Sequence, residues 1–343
     1  MILRVPLIRV LNDVSDPQIK GHEGSCPFIY YKTAFDQAVM QRFILFRVIQ
    51  AIFTIFVIGT LVFFFMRLSG DPVTLMVPID AEPETIEAIK IEFGLDKPLL
   101  VQYGYFVKNA ITGDFGVSFK MDEPALALVA ERFPATLELA VTAALLAWLV
   151  GIPLGLISAI TRDSLFDRFG KAFALFGQAT PSFWLGVMLM LFFGVQLDML
   201  PIAGREEPGS LIMPAVTISL IMLASVMRLA RSAMLDALNS EFVVMARIKG
   251  IRRFQINMIH AFKNASIPLV TLMSMQISRL LMGAVIAETI FSWPGVGKLA
   301  LDSVYSRDFP VVQVVVLFSA IIFCTINILV DILYAYIDPR IRY

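Results

Sequence analysis

The chain has 343 residues, of which 58% are hydrophobic, 11% aromatic and only 16% charged. Soluble domains carry roughly 45–50% apolar and about 25% charged residues, so this chain needs a membrane as its solvent and a soluble enzyme is excluded. Its 28 basic and 28 acidic residues cancel, giving no sign of nucleic-acid binding; two cysteines and two histidines leave little material for a disulfide framework or a metal centre.

Residues 1–39 lack the basic start, apolar stretch and small-residue cleavage site of a signal peptide. Met40 leads through Gln-Arg-Phe-Ile-Leu-Phe-Arg into the first apolar run. The expectation is a start at Met40, with 1–39 an upstream extension; the alternative is a disordered cytoplasmic tail. N-terminal sequencing of the expressed protein separates the two.

Charge-free runs then mark the spans. Residues 48–66 form 19 uncharged positions between Arg47 and Arg67, roughly 28 Å of helix and close to the thickness of a hydrocarbon core. The first helix is placed at 40–67. Further runs predict helices at about 136–161, 172–197 (interrupted by Pro181), 208–227 and 309–331. One more span, about 267–291, is apolar apart from Arg279 and Glu288. The total is six.

Charge orients them. The segment 68–135 holds five basic residues against eleven acidic ones, whereas 228–264 holds seven basic residues against Asp236 and Glu241. By the positive-inside rule the second segment and both termini are cytoplasmic, and the first is periplasmic or extracellular. The short 162–171 loop, with Arg162, Arg168 and Lys171, agrees independently. The outer segment is expected to form short helices packed on the membrane face. They serve as part of a receptor surface for an external protein, or their acidity is plain solvation.

The cytoplasmic stretch Arg228–Pro268 has no run long enough to span. Ser240 is placed as an N-cap with Glu241 in the first turn; Arg247 and Lys249 close the helix, and Gly250 suits a left-handed C-terminal turn. A short helix over 241–249 follows, then a second, amphipathic one over about 252–264 that ends before Pro268. Such a basic, capped helix suits docking into a groove on a cytoplasmic partner. The plainer reading is a solvated loop whose charges merely obey topology.

The run EFVVMARIKG, its glycine eighteen residues before Pro268, resembles the coupling segment of bacterial ABC importer permeases of the dipeptide/oligopeptide (and nickel) branch. Arg228-x-x-Arg231-x-x-Met234-Leu235 is similar too. So are Gly70-Asp71-Pro72, Phe93-Gly94-Leu95-Asp96-Lys97-Pro98-Leu99, Gly113-Asp114-Phe115-Gly116-Val117-Ser118, Pro134-Ala-Thr-Leu137, Phe291-Ser-Trp-Pro-Gly295 and the terminal Asp338-Pro-Arg-Ile-Arg-Tyr343. Their joint order covers nearly everything after Met40. One departure is Val244-Met245-Ala246, where the wider importer pattern has Glu-Ala-Ala.

The resemblance implies an all-α, polytopic membrane protein with six transmembrane helices. Its type-I ABC importer core lies at about 134–331, with a periplasmic insertion at 68–133, a cytoplasmic coupling loop at 228–266 and a cytoplasmic tail at 332–343. It implies a subunit of a bacterial inner membrane that pairs with a second permease, two cytoplasmic ATPase subunits and a periplasmic solute-binding protein. The cargo implied is peptide, with nickel or another small solute as the alternative. The subunit would need no cofactor and make no covalent bonds, ATP being bound by its partners. Glu241, Ala246, Arg247, Lys249 and Gly250 would dock the ATPase. The rival classes are an ion-coupled secondary transporter, which should show inverted repeats with broken helices, and a channel or scaffold, which would need neither ATP nor a docking helix.

Two look-alike motifs fail. Gly295-Val-Gly297-Lys298-Leu299 lacks the first phosphate-loop glycine (Ser292 stands there) and the Ser/Thr that would hold magnesium. Asp114-Phe115-Gly116 copies a kinase triplet without a catalytic loop. Within the spans, Arg279 costs roughly 2.5–3.5 kcal/mol on insertion scales, so it should face a cavity or a partner. Helical spacing puts Gln276, Arg279 and Gly283 on one stripe, with Glu288 about 180° around. Arg279 either lines a translocation path and attracts a carboxylate, or pairs structurally with a neighbouring helix. Asn327 is a second path candidate or an interhelical hydrogen-bonding group.

Overall fold

The computed structural model describes residues 27–68 and 96–337, with isolated positions 84, 87, 90 and 91 between them; side chains are described from Arg42 to Ile332, apart from 278 and 281–283 in that stretch. The motif segments at 70–72, 93–95 and 338–343 lie outside the described residues, as does most of 69–95 in the outer segment expected to form short helices. Among the described residues the regular structure is helical, with one isolated bridge between Val117 and Pro124.

Helix α1 (Pro27–Leu68) covers the first expected span. Helix α2 (Leu99–Thr112) packs against the later part of α1 through Tyr103 and Phe106 and is closed by Gly113 in a left-handed conformation. Helix α3 (Ala125–Ile160) begins eleven residues ahead of the expected boundary. At 36 residues it is about 54 Å long, well beyond one bilayer core, so its first turns stand clear of the apolar layer. The charged residues Glu131, Arg132 and Glu138 made the sequence boundary fall late. A charge bars a residue from lipid but not from a helix.

The expected span at 172–197 is two helices, α4 (Leu165–Ala179) and α5 (Ser182–Leu189), the second continuing into a π-helical segment Met190–Gln196. They meet at 101°. Pro181 explains the break: it lacks an N–H, and it forces Thr180 into an extended conformation (ψ 121°). Helix α6 (Ile212–Leu238) runs eleven residues past the expected end of its span. Helix α7 (Glu241–Ile248) is the short helix expected in the loop.

The second loop helix departs from expectation. It starts as one turn, Arg253–Gln255, passes through a π-helical segment, Ile256–Ala261, and merges into α8 (Phe262–Gly283) without stopping at Pro268. The proline is carried inside the helix. The expected span at 267–291 is instead interrupted later, at Ala284, before α9 (Val285–Ile290). Helices α10 (Val296–Tyr305) and α11 (Phe309–Ile337) complete the chain.

Four described helices, α1, α3, α6 and α11, are long and apolar enough to cross a membrane by length and composition; the bent pair α4–α5 makes five. Helix α8, with Lys263, Asn264, Gln276 and Arg279 along it, is the more polar remaining one. The central packing is α3 against α6. Small residues recur every fourth position on α3 (Ala143, Ala147, Gly151, Gly155, Ala159), all buried. This lets two backbones approach where no hydrophobic effect drives them together. A Cβ on Gly155 would sit 2.5 Å from the Met227 carbonyl oxygen and 2.7 Å from the Ala230 Cβ, so only glycine permits this crossing.

Candidate functional site

Helix α7 sits at the end of the bundle that also carries the 161–164 turn, the last turns of α3 and α6, and the start of α1. Its C-terminus closes as the local sequence dictates. Gly250 takes φ +72°, its N–H bonds the Arg247 carbonyl at 3.0 Å, and the Ile251 N–H bonds the Ala246 carbonyl at 3.2 Å. That pair of bonds is a Schellman closure, which satisfies two orphan carbonyls. The N-terminus differs from expectation. Ser240 has the extended backbone of an N-cap, but its hydroxyl turns back and donates to the Ala237 carbonyl, so no side chain caps α7. The anionic Glu241 in the first turn is left to complement the helix dipole.

One face of α7 is fixed. Val243 and Ala246, three residues apart, are buried against Leu156 and Ala159 of α3, Met234 and Ala237 of α6, and Ile256, Ala261 and Ala265 beyond the loop. Ala246, expected among the partner-contacting residues, therefore faces inward and anchors the helix. The other face is free and apolar: Phe242, Val244, Met245 and Ile248 are exposed, Ile248 to 74%. Glu241, Arg247, Lys249 and Gly250 are exposed around it.

Beneath α7 lies a buried carboxylate that sequence reading missed. Asp167, fully buried, accepts from Arg231 through both oxygens, Nε to Oδ1 at 2.6 Å and Nη2 to Oδ2 at 2.9 Å. Lys171 adds a 3.0 Å contact, the Asp163 N–H a 3.0 Å bond, and the Ser158 hydroxyl of α3 donates to Oδ1. One carboxylate thus joins α3, α4 and α6, and its partner Arg231 lies three residues before Met234, which packs against α7. A local signal existed: Ser164 caps α4 by accepting from the Asp167 N–H, the Ser-x-x-acid spacing of a capping box.

The residues proposed for a path are not brought together. Gln276 is buried and doubly engaged, accepting from Trp148 Nε1 at 3.1 Å and donating to the Met222 carbonyl at 3.3 Å. It ties α3, α6 and α8 and is not free to line a channel. Arg279 is exposed on α8, with no ion pair to another described residue. Asn327 donates to the Phe323 carbonyl of its own helix at 2.9 Å, rather than across to a neighbour.

At the opposite end, the glycine-rich 295–298 turn cradles a carboxylate. Glu288 is fully buried; it accepts from the Thr136 hydroxyl at 2.8 Å and from the Lys298 N–H at 2.9 Å, and Thr136 in turn accepts from the Val296 N–H. As the helical spacing implied, it is not the partner of Arg279. Trp293 is buried beside it, its indole N–H bonded to the Ala135 carbonyl. On the same side Asp308 accepts from Ser118, Phe119 and Lys120, which pins the Gly113–Ser118 motif to the start of α11.

The described residues thus form a helical membrane subunit with a short helix braced against the core at one end and a glycine turn filled by its own carboxylate at the other. The chain belongs to the family of binding-protein-dependent transport system inner membrane components, whose model matches residues 151–343; the companion N-terminal model of such membrane components matches 40–140. It is 39% identical over 314 residues to a peptide transport system permease protein of Brucella melitensis biotype 1, covering 89% of this chain and 100% of the relative. It is 37% identical over 305 residues to the glutathione transport system permease protein GsiC of Escherichia coli (strain K12), with the same coverage. In fold it matches an inward-facing structure of the MetNI methionine ABC transporter with TM-score 0.53 and 17% identity, over 64% of this chain and all of that one. The family sets the protein in an inner membrane, within a system that includes ATPase and binding-protein components.

Proposed function

We propose that this chain is a permease subunit of an ATP-driven importer of peptides. It pairs with a second permease and two ATPase subunits and receives cargo from a solute-binding protein on the opposite side. The names of the relatives support the peptide class. The observation that carries the coupling role is α7: one face locked into the core, the other an exposed apolar strip of Phe242, Val244, Met245 and Ile248. A helix held this way transmits a push instead of yielding to it. Glu241, Arg247 and Lys249 frame that strip as the polar rim of an ATPase contact, and Gly250 sets the exit of the chain. The α7 end is then cytoplasmic and so are both termini, as the charge distribution requires.

The test is Met245→Asp with Ile248→Asp in the co-expressed complex. The expected outcome is loss of ATPase co-purification and of peptide uptake in vesicles, with the permease still folded. Retention of both overturns the coupling role. Cargo is tested by competing uptake with glutathione, longer peptides and nickel; competition by nickel alone overturns the peptide reading.

Arg279, exposed and without an acidic partner among the described residues, is proposed to face the path between paired permeases and attract a peptide carboxylate. Arg279→Gln should slow uptake of free peptides more than of amidated ones. An equal effect on both removes the carboxylate role.

A further inference from the structure

Helix α2 contributes no buried residue, yet it is firmly tied to the membrane helix α1. The Tyr103 hydroxyl and the Thr60 hydroxyl are 2.7 Å apart. The Phe63 ring lies 5.4 Å from that of Tyr103 and 5.3 Å from that of Phe106, and a Cβ on Gly59 would lie 3.9 Å from Phe106. These contacts fix the depth of α2. Phe63 lies four residues and Gly59 eight before Arg67, the charge that closes the first span, which is about 6 and 12 Å along the helix. Helix α2 is thus level with the apolar layer at the end of the bundle away from α7, not above it.

It cannot cross that layer: 14 residues make about 21 Å of helix. Its sequence instead fits a helix lying in the plane. With Tyr103 and Phe106 turned to α1, one flank carries Leu100, Val107 and Ile111 at spacings of seven and four. The other carries Gln102 and Asn109. Leu100 is 78% and Ile111 81% exposed. Just before the helix, the Lys97 ammonium stands 4.7 Å over the Tyr105 ring, the kind of Lys/Tyr pair found at a membrane boundary.

We propose that α2 is an interfacial helix whose Leu100–Val107–Ile111 flank is immersed in lipid acyl chains of the leaflet away from α7. The occupant follows from continuity. The flank extends the largely exposed surface of α1, which displays Leu61, Phe64 and Phe65 at neighbouring depths. A helix braced against α1 by aromatic contacts, greasy on one flank and polar on the other, is the geometry of an in-plane anchor. It leaves the Gln102–Asn109 flank as the one a solute-binding protein could meet.

The experiment places single nitroxide labels at Leu100→Cys, Ile111→Cys and Asn109→Cys in a Cys26→Ser background; Cys324 is buried in α11. The assembled transporter is reconstituted in nanodiscs of phosphatidylethanolamine and phosphatidylglycerol. Collision with oxygen, which concentrates in lipid, should exceed collision with a water-soluble nickel chelate several-fold at 100 and 111 and reverse at 109. Greater nickel collision at 100 and 111 overturns the proposal in favour of a water-facing receptor surface. Low collision with both reagents there overturns it in favour of a protein-covered flank.

Discussion

The two ends of the bundle each bury a carboxylate, and they hold it by different chemistry. At the α7 end Asp167 is met by a guanidinium through two bonds, an ammonium, a hydroxyl and a backbone N–H. At the other end Glu288 is met by a hydroxyl and a backbone N–H at the start of α10, with the glycine backbone closing over it. The first is an ionic joint between three helices. The second is a fitted plug between α3, α9 and α10, where position depends on close approach more than on charge. The difference teaches that one fold can hold a buried carboxylate by counter-charge at one end and by close backbone approach at the other.

The ionic joint should be the more costly to break. Arg231→Met leaves Asp167 buried with its main counter-charge gone, and removing one partner of a buried pair costs about 3–5 kcal/mol. Denaturant unfolding of the purified permease should register most of that loss. Lys171→Met should cost far less, because Lys171 is 44% exposed and reaches only one oxygen. If the two variants unfold alike, the joint is not centred on Arg231.

The plug breaks by volume. A Cβ on Gly295 would collide with the Glu288 carboxyl group, so Gly295→Ala should cost about 1–3 kcal/mol by overpacking. The sharper measurement is the double variant with Glu288→Ala. With the carboxylate gone, Gly295→Ala should add almost nothing, a non-additivity expected only of residues in direct contact. Additive losses would mean that the glycine is required by something other than Glu288.

Much of this was legible in the chain, and the gaps have physical causes. Helix α7 obeyed rules local to ten residues: an acid in its first turn, basic residues in its last, and a glycine where φ turns positive. Only the Ser240 hydroxyl departed, because the Ala237 carbonyl at the end of α6 competed for it. Pro181 announced a break but not its 101° angle, which packing sets. Pro268 announced a stop that did not occur; α8 carries the proline inside it. Asp167 was hidden because its meaning lies in Arg231, 64 positions away, although the Ser164 spacing pointed to it. The four-residue rhythm of small residues in α3 was there to read, but charge-free runs are blind to it. Helical spacing put Gln276 on the Arg279 stripe, but only the folded chain shows its bonds to Trp148 on α3 and the Met222 carbonyl on α6.

A smaller loss tests the hydrogen bonds of the plug. Thr136→Val keeps the shape but leaves the buried Val296 N–H without its acceptor and removes one donor from Glu288. An unsatisfied buried group costs about 1–3 kcal/mol, so the loss should fall below that of Arg231→Met. A loss equal to or above it would erase the distinction between the two ends.

The smallest effect uses nearly the same ions as the largest. Arg205 holds Glu138 with Nε at 3.0 Å and Nη2 at 2.6 Å, distances that match those between Arg231 and Asp167. The difference is water: both Arg205 and Glu138 are 41% exposed, whereas Asp167 is not exposed at all. Solvent already stabilises each exposed charge alone, so the pair gains little from meeting, typically 0.2 to about 1 kcal/mol. Arg205→Ala should therefore cost less than about 1 kcal/mol, including its place over the Trp293 ring. That cost should shrink in 1 M salt, where screening acts within about 3 Å, while the cost of Arg231→Met should hardly change. Equal salt sensitivity at the two sites would show that burial does not separate them, and the ionic joint would lose its claim to be the rigid one.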